Sequence, residues 1–147
     1  MNMVEGVLVI NLVNEAGARA QGVFAKAKVA LGLLIRRNGA FSVAALDQHQ
    51  HAAHGVAWLA TYLDAFKALA AYVTRLSSLG KLGEMEQLLV KIACGEYINQ
   101  IMGGIPRNQT EIFPPTTLGL SPITPQPLPH SDFLPRRTTP ATPTPPL

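Results

Sequence analysis

Proline sets the frame for this chain. All twelve prolines lie in its last third, the first of them at Pro106. Proline has no backbone N–H to donate, and its ring clashes with the preceding helical turn, so it is barred from helix interiors. Residues 1–105 can therefore build long helices, and residues 106–147 cannot. The expected organisation is a helical bundle domain over 1–105 and a Pro/Thr-rich, extended and disordered tail over 106–147.

The proline-free part is the size of a small autonomous domain. It is rich in Ala, Leu and Val and poor in aromatic residues, which suits packed helices better than a sheet. Lys and Arg total 12 against 9 Asp and Glu. The excess is spread thinly, with no dense basic patch, so nucleic acid is excluded as a partner. A single cysteine, Cys94, rules out an intrachain disulfide and any multi-cysteine metal site. It is expected to be a buried structural thiol. The first apolar run follows Glu5 and has no basic leader, so no signal peptide is read. Lys26 and Lys28 interrupt the best candidate for a membrane span, which would need roughly 18 uncharged apolar residues. The expected setting is cytoplasmic, with no membrane partner.

Three main helices follow from the periodicity. Residues 1–13 are apolar and open to either a strand-like lead or an extra helical turn. Over 14–37, Ala16, Ala20, Val23, Ala27, Ala30, Leu31 and Leu34 recur at three- and four-residue spacing and define one buried face. Asn38-Gly39 is the expected left-handed stop. Ser42 can cap a second helix running to about residue 78. That helix is apolar on most sides, with one polar stripe of Asp47, His51, His54, Thr61, Asp64, Lys67, Thr74 and Ser78. It is expected to pack between the other two helices or against a partner. The third helix opens with Glu84 and Glu86 near its positive end. Its expected buried stripe is Met85, Leu88, Ile92, Gly95, Ile98 and Met102, with Gly95 admitting a neighbouring helix closely. Short turns between the three predict an all-α, antiparallel, up-down-up bundle. Three helices cover so apolar a central helix poorly, so self-association is expected.

Few residues carry chemistry. Asp47, His51 and His54 fall on one helical face at i, i+4 and i+7, a spacing that could hold zinc or iron. A solvated polar stripe accounts for them better, and no metal is assigned. Pairing His54 with Asp64 or Glu96 would make an acid–base couple only if they met, and nothing in the spacing brings them together. No catalytic residue is assigned. In the tail, residues 137–143 (RTTPATP) have the spacing of a proline-rich ligand for an aromatic groove, a pattern any proline-rich segment produces by chance. It leaves open a second reading, a stand-alone scaffold whose tail recruits a partner.

Two segments carry a family resemblance. They are 47–63 (DQHQHAAHGVAWLATYL) and 83–112 (GEMEQLLVKIACGEYINQIMGGIPRNQTEI). Together they resemble the N-terminal helical extension of (2S)-methylsuccinyl-CoA dehydrogenase-like members of the acyl-CoA dehydrogenase family, over about residues 14–120. The resemblance implies flavin-linked oxidation of an acyl-CoA by a complete enzyme whose separate catalytic portion binds FAD and substrate. No residue here matches that portion's catalytic base, so no cofactor is expected on this chain alone. Gln100, Gly103 and Gly104 are similar to a Gln-x-x-Gly-Gly turn that meets the flavin's dinucleotide end in ordinary members of the family. Ile105-Pro106 departs from the pattern that follows that turn. Where the resemblance fades, low-complexity sequence replaces the expected linker, as a truncated or frame-shifted reading of a longer gene would produce. The expected partners are a second copy or the missing catalytic domain.

Overall fold

A computed structural model describes residues 3–108 and 110–121. Three long helices dominate: α1 (Met3–Leu34), α3 (Gln50–Ser78) and α4 (Glu84–Gly103). A short helix, α2 (Val43–Gln48), precedes α3. Two small antiparallel hairpins complete the fold, β1–β2 (Arg36–Arg37 with Ala40–Phe41) and β3–β4 (Ile105–Pro106 with Ile112–Phe113). A 3-10 turn, Pro115–Leu118, follows the second hairpin. The antiparallel three-helix bundle is as expected. The tail from residue 122 onward, including residues 137–143, lies outside the described residues.

The apolar lead joins α1, which begins at Met3 rather than at residue 14. Val9, Val13, Ala16, Ala20 and Ala27 are its buried line. All five are small or β-branched. A Cβ at Gly17 would meet Phe66 of α3 at ordinary contact distance. α1 stops at Leu34, before the expected residue 37. Asn38-Gly39 is the tip of the β1–β2 hairpin, not a helix stop: both residues have positive φ, 53° and 80°. That is the type I′ conformation, whose twist matches paired strands.

Ser42 caps α2 as expected, its Oγ accepting from the Ala45 N–H at 3.2 Å. The helix expected over 42–78 is interrupted at His49 (φ −117°, ψ 24°), which separates α2 from α3. Every residue of the expected polar stripe is exposed. The opposite side of α3 supplies Ala52, Val56, Leu59, Leu63, Phe66 and Val73 to the core. Among the described residues, α3 is the one helix long and apolar enough to cross a membrane by length and composition alone. It also carries an exposed ion pair, Lys67 with Asp64 at 2.9 Å. The element shared most widely is α1, which packs on both α3 and α4, rather than α3 lying between the other two.

Of the stripe expected on α4, Ile98 packs against the core, but the N-terminal half faces the other way. Met85, Leu88 and Ile92 are exposed, and no neighbour lies within reach of Gly95. The buried face is Gln87, Val90, Cys94 and Ile101, with Leu82 buried in the preceding turn. Apolar residues occur all round α4, so periodicity alone offers two stripes, and packing against α1 chooses between them.

The ordered chain also passes the border expected at residue 105. Gly104 ends α4 at φ 124°, ψ 129°, where its N–H still reaches the Gln100 carbonyl at 2.9 Å. A side chain there would collide with Ile112, so this turn requires glycine. Proline is accommodated because Pro106 sits in a two-residue edge strand and Pro115 starts a 3-10 turn, both places that need no proline N–H. Ile105, Phe113, Pro115 and Leu118 are buried.

Candidate functional site

The polar residues singled out in the sequence gather where the start of α3 meets the β3–β4 hairpin and the end of α4. Asn108 builds the hairpin's tip. Its Oδ1 accepts from the backbone N–H groups of Thr110 and Glu111, each at 2.9 Å. Arg107 leaves this tip and turns back onto α3. Its side chain is 3% exposed. Nη1 approaches His54 Nδ1 at 3.2 Å and the His51 carbonyl at 3.4 Å, and Nη2 bonds the His51 ring. Glu111 Oε2 lies 3.4 Å from Nη2. Nε of Arg107 is buried with no partner.

This arrangement sets a fixed cation, Arg107, against the His51 and His54 part of the polar stripe. Asp47 sits on α2, beyond the break at His49, and accepts from Gln50 at 3.3 Å. Among the described residues no three His, Cys, Asp or Glu side chains come together as a metal would require. His54 also receives the Trp58 indole N–H on Nε2 at 3.1 Å. A neutral imidazole has one acceptor nitrogen, so Trp58 and Arg107 compete for a single lone pair on His54. His51 offers Arg107 both its ring and its backbone carbonyl.

Phe113 lies beneath this polar layer. Its ring faces His51 at 6.3 Å between centroids and covers Gly55 of α3. A Cβ at residue 55 would lie 2.2–2.3 Å from three Phe113 ring atoms, so the glycine is what admits the ring. Neither Arg107 nor Phe113 was marked by the sequence reading.

The turn singled out by resemblance is engaged internally. The Tyr62 hydroxyl donates to the Gln100 carboxamide oxygen, joining α3 to α4. Tyr62 packs edge-on to Tyr97 at 5.2 Å, and burial, with Tyr97 beside it, raises its phenol above the usual value. Gly103 is exposed, and the Gly104 N–H is bonded to Gln100. The Gln100 carboxamide oxygen and the Gly104 N–H are thus both bonded within the bundle.

No acid–base pair forms around His54. Asp64 lies ten residues further along α3, about 15 Å away at the helical rise, and is bonded to Lys67. Cys94 is fully buried, as expected, and burial pushes its thiol up from 9.0 to about 11. The native protein should therefore react with a thiol reagent at pH 8 far more slowly than the urea-unfolded chain; equal rates would contradict this burial. Because the folded thiol is raised, the contribution of Cys94 to stability is fully present below about pH 9 and is lost as pH climbs from about 9 to 11, where only the unfolded chain ionises. An open apolar groove of about 530 Å³ runs between α1 and residues 118–120, with Lys26 its one charged lining residue. It offers none of the converging polar groups of an active site.

No family model matches the chain. It is 41% identical over 102 residues to (2S)-methylsuccinyl-CoA dehydrogenase of Cereibacter sphaeroides. That match takes in 69% of this chain and 19% of the length of that relative. The resemblance carried by the two segments is thereby borne out, and the chain is a helical module related to part of an acyl-CoA dehydrogenase.

Proposed function

We propose that this module performs no chemistry of its own and serves packing within an assembly of the acyl-CoA dehydrogenase type. The carrying observation is how its unusual polar atoms are used. Arg107, His51, His54, Trp58, Tyr62 and Gln100 bond to one another and fix the hairpin and α4 to α3. Among the described residues the open apolar groove beside α1 has no converging polar groups. In this reading flavin and acyl-CoA belong to a catalytic portion like that of the longer relative, and the setting is cytoplasmic. Mixing the purified chain with FAD, a branched acyl-CoA and an artificial electron acceptor should give no acceptor reduction above the protein-free rate and no retained flavin after desalting. Turnover by this chain would overturn the reading.

A further inference from the structure

We propose that α4 docks antiparallel against α4 of a second copy of this chain, through the face its own bundle leaves open. The proposal deepens the packing role above by naming the surface and its partner.

Met85, Leu88, Leu89 and Ile92 are 63%, 51%, 56% and 53% exposed. At 3.6 residues per turn they occupy one arc of about 100°. Together they leave on the order of 400 Å² of apolar surface in water, the size at which a patch on a soluble protein commonly marks an interface.

The charges on this face identify the occupant. The apolar arc is symmetric about the point between Leu88 and Leu89. A twofold axis there sets Met85 against Ile92 of the second copy and Leu88 against Leu89. It also brings exposed Lys81 within reach of exposed Glu96 of the second copy. Each contact occurs twice, so the seam is self-complementary in shape and in sign, as an isologous interface requires. A parallel pairing would instead gather Glu84 and Glu86 from both copies at one end and align the two helix dipoles unfavourably.

Size-exclusion chromatography with light scattering on the full chain should give about 31 kDa at high micromolar concentration, twice the 15.7 kDa of one chain. The double variant Leu88→Glu, Leu89→Glu should run as a monomer with unchanged helical circular dichroism, since both side chains are more than half exposed. Lys81→Glu should weaken association several-fold, and adding Glu96→Lys should restore it. A wild-type chain that stays monomeric throughout overturns the proposal. So does a dimer indifferent to the Leu88, Leu89 pair, or a charge swap that fails to restore association. The flavin assay reads the non-catalytic role separately, so the two readings can fail independently.

Discussion

Replacing Phe113 with alanine should destabilise the protein by about 3–5 kcal/mol, the range for removing a buried phenylalanine ring. The ring is fully buried and fills the space that Gly55 leaves on α3. Its strand partner Ile105 is also buried, so its loss leaves a cavity between the hairpin and α3. A urea titration followed by circular dichroism is the measurement, and the midpoint should fall while α3 and α4 remain helical below it. A loss smaller than about 1 kcal/mol would mean that residues beyond 105 are not part of the core. The mirror experiment, Gly55→Ala, puts a methyl where the ring now sits. Its cost should be comparable, because the obstructing atoms belong to a ring held on both sides rather than to the tip of a flexible chain.

Phe66→Ala should cost a similar amount, about 3–5 kcal/mol, for a different reason. Phe66 is the point where the three long helices meet. A Cβ at Gly17 of α1 would lie 3.5 Å from the Phe66 Cβ, and the Phe66 ring stands edge-on to Tyr97 of α4 at 5.8 Å. Tyr97 in turn stands edge-on to Tyr62, whose hydroxyl holds Gln100. Losing the Phe66 ring therefore removes packing between the helices and loosens the part-buried Tyr62–Gln100 bond between α3 and α4. The thermal midpoint should drop by roughly 10–20 °C. Comparison with Tyr62→Phe separates the contributions, since that change deletes the hydroxyl bond alone and should cost about 1 kcal/mol. If Tyr62→Phe proved as damaging as Phe66→Ala, the aromatic cluster would not be the main tie.

The bundle was legible because its clearest signals are local. The α1 stripe through Ala16, Ala20 and Ala27, the Ser42 cap and the exposed polar stripe of α3 all follow from spacing along one helix. Three features were not legible, each because it depends on contacts distant in sequence. The buried side of α4 is chosen by α1, and two apolar stripes of equal quality gave no means of choosing. Asn38-Gly39 was read as a helix end, although an Asn-Gly pair is also the strongest short hairpin signal; two-residue strands are too short to announce themselves by alternation. The order that continues past Pro106 was missed because proline was taken as the end of structure when it is only the end of helix. One signal for it was present: the family resemblance ran to about residue 120, across the first three prolines. Of the candidate site, His51 and His54 were picked out correctly as unusual, but their partner is Arg107. An arginine more than fifty residues away leaves no mark on helical spacing.

The position of Phe113 also orders events in time. During synthesis α1, α3 and α4 all leave the ribosome before it does, so Gly55 presents an unfilled notch for most of that interval. The hairpin closes over residues made far earlier in the chain. A nascent bundle stalled before residue 113 would expose this notch together with the open face of α4, two apolar surfaces on one incomplete molecule. The stretch beginning at Pro106 is thus part of the core rather than an appendage to it.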